Sequence, residues 1–184
     1  MAEIQAPRRI DRQRKARIVE AAMKVIADHG VEGLTHRLVA SQAEVPLSAT
    51  SYYFGSIENL LIAAMTDAAT QDVERLRSRF DDLAPDADIT EAITEAIVAM
   101  FADSRRNAVA VTELYTAAVR RKELRDVAIL WEQSWFELLS PRIGEAAATA
   151  VGAATGGIVQ SALLREETPT PEAVRAIIAQ VLEG

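Results

Sequence analysis

The sequence predicts an all-α fold of about nine helices. Three observations predict it. Apolar residues recur at the i, i+3/i+4, i+7 spacing of a helix face along almost the whole length, helix start and stop residues punctuate that pattern, and no stretch alternates polar and apolar residues as a half-buried strand does.

Ile18, Ala22, Val25, Ile26 and His29 mark the first helix, with Gly30 able to take a left-handed cap. Thr35 is a good N-cap for a second, barely two-turn helix through Leu38, Val39 and Ala40 to about Ala43. Pro46 suits a first helical turn, and Leu47 to Phe54 forms a third short helix ending at Gly55. Three short helices joined by tight turns outline a helix-turn-helix module. Ser56 caps a long fourth helix carrying Leu61, Met65, Ala68, Leu76, Phe80 and Leu83, which ends at Pro85 and the acidic turn of Asp86 and Asp88. Ile93, Ile97, Met100 and Phe101 mark a fifth, and Val111, Tyr115, Ala118 and Val119 a sixth. Leu124, Val127, Ala128, Trp131, Trp135 and Leu138 mark a seventh, closed by Pro141. An eighth, rich in small residues, runs from Arg142 to about Arg165. Thr170, Pro171 and Glu172 open the ninth, with Val174, Ile177, Ile178, Val181 and Leu182 on one face.

At 184 residues, 49% hydrophobic and 26% charged, the chain has ample length for a buried core. Having no cysteine, it has no disulfide, thiolate metal site or cysteine nucleophile, and His29 and His36 lack zinc-ligand spacing. No Ser-His-Asp set or Gly-rich phosphate loop is available, so no enzyme, no catalytic residue, no metal and no cofactor are expected. The first 17 residues have no apolar signal-peptide core, which predicts a cytoplasmic protein. The uncharged run Ala146 to Leu164 is built from Ala, Gly, Thr, Ser and Gln with few large apolar side chains, so it is expected to be a buried soluble helix rather than a membrane span.

Charge is divided unevenly. Residues 1–54 hold eight Lys/Arg against six acids, net +2, whereas the remainder is −9. Six of those eight bases lie between Arg8 and Arg17, opposed only by Asp11. A basic arm on an acidic body suits a phosphate contact confined to one end, through counterion release; a solvated basic tail is the other reading of the same residues.

The segment from Arg17 to Leu61, RIVEAAMKVIADHGVEGLTHRLVASQAEVPLSATSYYFGSIENLL, resembles the DNA-binding region of the TetR family of transcriptional regulators. The resemblance rests on an apolar helix ending in Gly30, Gly33-Leu34-Thr35, Val39-Ala40, Ala43-x-Val45, Tyr53-Phe54 and Ser56-x-Glu58-x-Leu60-Leu61. It implies an N-terminal basic arm and helix-turn-helix DNA-binding domain over 1–55, and an effector-binding and dimerisation domain over 56–184. A homodimer would lay each third helix in a DNA major groove and repress a nearby promoter until a small molecule binds. The partners implied are a palindromic double-stranded operator, a second copy of the chain and an effector of unknown identity, with no membrane.

By that resemblance Thr35 is a phosphate-contacting cap and Arg37 reads a base or phosphate. Leu47, Ser48, Ala49 and Ser51 face the groove, and Tyr52 and Tyr53 are aromatic contacts near the end of the recognition helix. The chemistry suits these roles: hydroxyls bond phosphates, Arg37 can be bidentate to guanine, and Ala49 or Thr50 can meet a thymine methyl. Two departures stand out, Ser51 where members often carry Tyr and Ile57 where they often carry Lys. The missing lysine shifts the expected affinity toward Arg12, Arg14 and Lys15 of the basic arm, which could reach an adjacent minor groove. Phe54 is expected in the core.

In the eighth helix Ala146, Ala147, Ala150, Gly152, Ala153, Gly156 and Gly157 leave a nearly bare backbone that suits close approach by another helix. That helix belongs either to a second copy, in a four-helix interface with the last helices, or to the seventh helix of the same chain. Met65, Met100, Phe101, Thr112, Tyr115, Trp131 and Trp135 are candidate effector contacts, with Glu113, Glu132 and Gln133 as polar additions, although aromatic stripes at helical spacing also serve as plain core. A mainly apolar pocket implies a small hydrophobic effector. The rival to a ligand-responsive repressor is a ligand-independent helical DNA-binding or adaptor dimer.

Overall fold

The computed structural model describes residues 7–81, 83, 87–101 and 105–183, with side chains from residue 12 onward. Among these residues there are nine α-helices and no strand: α1 (Pro7–His29), α2 (His36–Gln42), α3 (Leu47–Phe54), α4 (Ile57–Asp81), α5 (Ile89–Ala99), α6 (Arg105–Ala118), α7 (Lys122–Ile143), α8 (Glu145–Arg165) and α9 (Pro171–Glu183).

The short-range signals set the N-terminal boundaries. Thr35 Oγ1 accepts from the Leu38 N–H at 3.2 Å, satisfying one orphan donor of α2. Gly30 (φ +70) and Gly55 (φ +71) end α1 and α3 in the left-handed region. Gly33 is required for another reason: a Cβ there would sit 2.4 Å from the His29 carbonyl oxygen, so the α1–α2 turn closes only around glycine. Ser56 Oγ accepts from the Asn59 N–H at 3.2 Å and opens α4, while Asp88 caps α5 by accepting from the Thr90 N–H at 2.9 Å.

Several boundaries and faces differ from expectation. The basic stretch is not a separate arm, because α1 is helical from Pro7. His29, placed with the apolar residues of α1, is exposed. Helix α4 stops at Asp81, before Leu83, while Pro85 and Asp86 lie outside the described residues. Helix α5 ends at Ala99, so Met100 is its C-cap and Phe101 lies beyond it. Val119 follows α6 and is exposed; the buried α6 face is Ala108, Ala110, Leu114 and Ala118. Pro141 does not close α7, which continues to Ile143 and stops at Gly144 (φ +84). A proline in the final turn removes one hydrogen bond, and Gly144 supplies the break that Pro141 does not. Consequently α8 starts at Glu145 rather than Arg142.

One apolar cluster runs from Ile18 in α1 to Ile178 in α9 and holds most of the core. Helix α4 packs on α1, α3, α5, α6 and α7; α1 also packs on α6, and α9 on α5 and α8. Helix α8, uncharged between Ala146 and Leu164, meets the length and composition of a membrane span, yet it is not buried all round. It buries one face, Ala148, Val151, Thr155, Ile158 and Ala162, and exposes the other.

Candidate nucleic-acid and effector sites

The N-terminal module divides its side chains by face. On α3, Phe54 and Thr50 are buried, and Ala49 and Tyr53 are half-buried against the core, whereas Leu47, Ser48, Ser51 and Tyr52 are exposed. Tyr52 is the extreme case at 82% exposure, its ring edge-on to Tyr53 at 5.2 Å between centroids. A large aromatic with a free hydroxyl on an open helix face suits contact with a polar, flat partner. Thr50 cannot meet a thymine methyl: it is fully buried and its hydroxyl donates to the Leu47 carbonyl at 2.8 Å. Phe54 is core, as expected, with Lys15 Nζ 5.7 Å above its ring.

Thr35 and Arg37 are exposed at the start of α2, and Arg12, Arg14 and Lys15 are exposed on the first turns of α1. The three basic residues are thus carried on a helix that continues into the core at Ile18, which fixes their direction relative to α2 and α3. Minor-groove reach by an extended arm has no counterpart in the described residues.

The seven expected effector residues do not form one group. Met65 is fully buried in the main cluster, and Thr112 is half-buried on α6. Phe101 joins Ala108 and Ala162 in a small second cluster, and Met100 packs against both that cluster and the main one. Tyr115, Trp131 and Trp135 do converge. Tyr115 stands edge-on to Trp131 at 5.6 Å between ring centroids and donates its hydroxyl hydrogen to Glu132 Oε1 at 2.9 Å. Burial, with Glu132 next in effect, makes that phenol harder to ionise than a free tyrosine. Of the other polar candidates, Gln133 is exposed, and Glu113 turns toward the α1–α2 turn, where its Oε2 accepts from the Val31 N–H at 3.4 Å.

Sequence reading missed the residue at the centre of this group. Asp72, only 6% exposed, accepts at Oδ2 from the Trp131 indole N–H at 2.9 Å and from that of Trp135 at 2.7 Å. Its Oδ1 faces Arg75 Nη2 at 3.9 Å. Desolvation raises its pKa above the ordinary 3.8, and the two indoles and Arg75 counter only part of that effect. A signal existed: Asp72 is the acid lying four residues after Ala68 and four before Leu76, inside the apolar stripe of α4.

Residues 18–64 match the family described as bacterial regulatory proteins, tetR family. A TetR-family member from Streptomyces coelicolor A3 superposes with a TM-score of 0.82 at 32% identity, covering 92% of this chain and 98% of that one. The multidrug binding protein EbrR, complexed with ethidium, gives a TM-score of 0.77 at 31% identity, covering 92% of this chain and 98% of that one. EbrR is also known in complex with proflavin and with malachite green. By sequence, the HTH-type transcriptional regulator PksA of Bacillus subtilis (strain 168) is 30% identical over 93 residues, 50% of this chain and 45% of PksA. The aligned part of the chain thus spans less than half of that relative.

Proposed function

Since the chain belongs to the tetR family of bacterial regulatory proteins, we propose that it is a ligand-responsive DNA-binding regulator, a repressor released from a palindromic operator by a small hydrophobic effector. The family is one of regulators, not of enzymes. The observation that carries the proposal is the two-faced α3: Thr50 and Phe54 anchor it, while Ser48, Ser51 and Tyr52 stand open to a groove. Residues 1–55 form the DNA-binding region, in which Arg12, Arg14, Lys15, Thr35 and Tyr53 contact phosphates and Arg37, Leu47, Ser48, Ala49, Ser51 and Tyr52 meet the groove. Such a regulator works in the cytoplasm, with its DNA.

Residues 56–184 dimerise and bind the effector. A Cβ added at Gly152, Gly156 or Gly157 would meet nothing within 4 Å. Close packing of α7 against those glycines is therefore not what this face does, and its openness favours a second copy laid across α8 and α9. The dye complexes of EbrR favour an aromatic effector. Release follows if the effector binds the DNA-incompetent arrangement more tightly than the competent one. Helix α4 is the lever, since it packs on both α1 and α7. A tilt of α4 near Met65 changes the separation of the two recognition helices, which must match half-sites about 34–36 Å apart or a multiple of one turn.

The test is selection of bound duplexes from random DNA by the full chain. Enrichment of a palindrome, relaxed by Arg37→Ala and Tyr52→Ala, is expected. A folded dimer that enriches no sequence at moderate salt would refute the reading.

A further inference from the structure

One enclosed nitrogen of the N-terminal module lacks a partner. Among the described residues, Nδ1 of His36 is the only buried side-chain nitrogen or oxygen that no hydrogen bond reaches. Buried polar atoms are nearly always paired, because an unpaired one gives up water and gains nothing in return. His36 opens α2 and heads its packed face: Val39, Ala40 and Ala43, at i+3, i+4 and i+7, are all buried. A methionine would fill the head of that stripe without leaving an atom unpaired, so packing does not account for an imidazole here.

The ring has an inner edge and an outer one. The residue as a whole is half-buried, and Nε2 is not enclosed as Nδ1 is. Burial also selects the tautomer. A buried N–H without an acceptor is rarer in folded proteins than a buried lone pair without a donor, so the neutral ring leaves Nδ1 bare and carries its hydrogen on Nε2. The outer edge is then a neutral donor, held in direction by the inner edge. Its neighbours in the chain, Thr35 and Arg37, are both exposed. Thr35 Oγ1 already accepts from the Leu38 N–H at 3.2 Å, so what that hydroxyl has left to offer is its hydrogen. Three consecutive residues thus present a hydroxyl, an imidazole and a guanidinium donor where α2 begins. A phosphodiester, which has acceptor oxygens and no hydrogen to give, complements such a set.

We propose that His36 is a further DNA-contacting residue, its Nε2–H donating to a backbone phosphate of the operator while the unpaired Nδ1 lowers the stability of the module. This rests on the DNA-binding reading and adds to it a contact made by the imidazole, not by the backbone of α2. A neutral donor releases no counterion, so His36 strengthens binding without steepening its salt dependence, unlike the basic residues of α1.

The full chain and its His36→Met, His36→Gln and His36→Asn variants are measured on the duplex that the wild type selects and on a random duplex, at about pH 8, where an ordinary histidine side chain is neutral. Anisotropy over a salt series gives affinity and slope, and thermal melts give stability. His36→Met is expected to melt no lower than wild type, since it relieves the unpaired nitrogen. It should nevertheless weaken both duplexes by about threefold to tenfold, as the loss of one hydrogen bond does, with the slope of log affinity against log salt unchanged. Glutamine places its amide nitrogen near the position of Nε2 and asparagine near that of Nδ1. His36→Gln should therefore bind within about twofold of wild type, and His36→Asn should behave as His36→Met does. A folded His36→Met variant that binds as wild type does, a slope reduced by about 0.9 as for a lost cation, or a loss on the selected duplex alone would overturn the proposal. If His36→Met does not fold, His36→Gln against His36→Asn decides, equal affinities counting against the contact. A wild-type chain that selects no duplex overturns the repressor reading as well, whereas one that selects an operator and is indifferent to His36 loses only this contact.

Discussion

Arg121, the residue before α7, donates from Nη1 to Glu58 Oε1 in the first turn of α4 at 2.5 Å. Its Nη2 reaches Glu32 Oε1, in the turn between α1 and α2, at 2.7 Å. These bonds raise its already high pKa, so the guanidinium is charged at every working pH. Together with Arg106, which pairs with Asp28 of α1, it fastens α6 and α7 to the N-terminal module. Arg121→Ala is expected to lower the melting temperature by only a few °C, because Glu32 and Glu58 are exposed partners worth about 1 kcal/mol or less. Operator affinity should fall by about threefold or more as the first turn of α4 loses its tether; fluorescence anisotropy with labelled operator measures it.

Tyr52 and Tyr53 are neighbours with different expected effects on stability. Tyr52→Ala removes an exposed ring, so stability should stay within about 0.5 kcal/mol while operator affinity falls. Tyr53→Ala removes a half-buried one packed on the core and should cost about 1–3 kcal/mol in denaturant unfolding. Equal stability losses would contradict the division of α3 into two faces.

Asp72→Asn tests the cost of the buried charge. The native pKa is raised above 3.8, so the native state favours the protonated acid. Its stabilising contribution is present below 3.8 and is lost as pH rises through the raised native pKa. At pH 7 the asparagine variant should melt higher than wild type by a few °C, on the order of 1 kcal/mol. That gap should close as the pH falls toward 3.8. Thermal melts of both proteins at a series of pH values upward from about 4, the ordinary carboxylate range, provide the comparison.

The basic turns of α1 are testable through salt. Each of Arg12, Arg14 and Lys15 that neutralises a phosphate contributes about 0.9 to the slope of log affinity against log salt. Replacing Arg12 and Arg14 by Ala should flatten that slope by about 1–2 and weaken all sequences alike, whereas Arg37→Ala should relax preference at particular positions.

The open face of α8 predicts association. A Cβ added at Gly156 meets nothing within 4 Å, so the monomer fold should tolerate Gly156→Arg. Light scattering is expected to show a shift from dimer to monomer mass.

The N-terminal module was legible because its instructions are local. Thr35, Ser56, Gly30 and Gly55 set helix ends through bonds and backbone angles spanning three or four residues, and spacing along the chain encodes such relations directly. The all-helical fold followed from periodicity for the same reason. What spacing could not give was convergence. Asp72 lies 59 residues from Trp131 and 63 from Trp135, and only the packing of α4 on α7 brings the three together. The same distance hid the turn of Glu113 toward Val31, 82 residues away. The exposed glycine face of α8 was legible as a bare surface, but its direction was not, since which side of a helix meets its own chain depends on where every other helix has gone. Local hydrogen bonds and steric limits are fixed by neighbours in sequence; the site of a buried charge is fixed by burial, which only the assembled core defines.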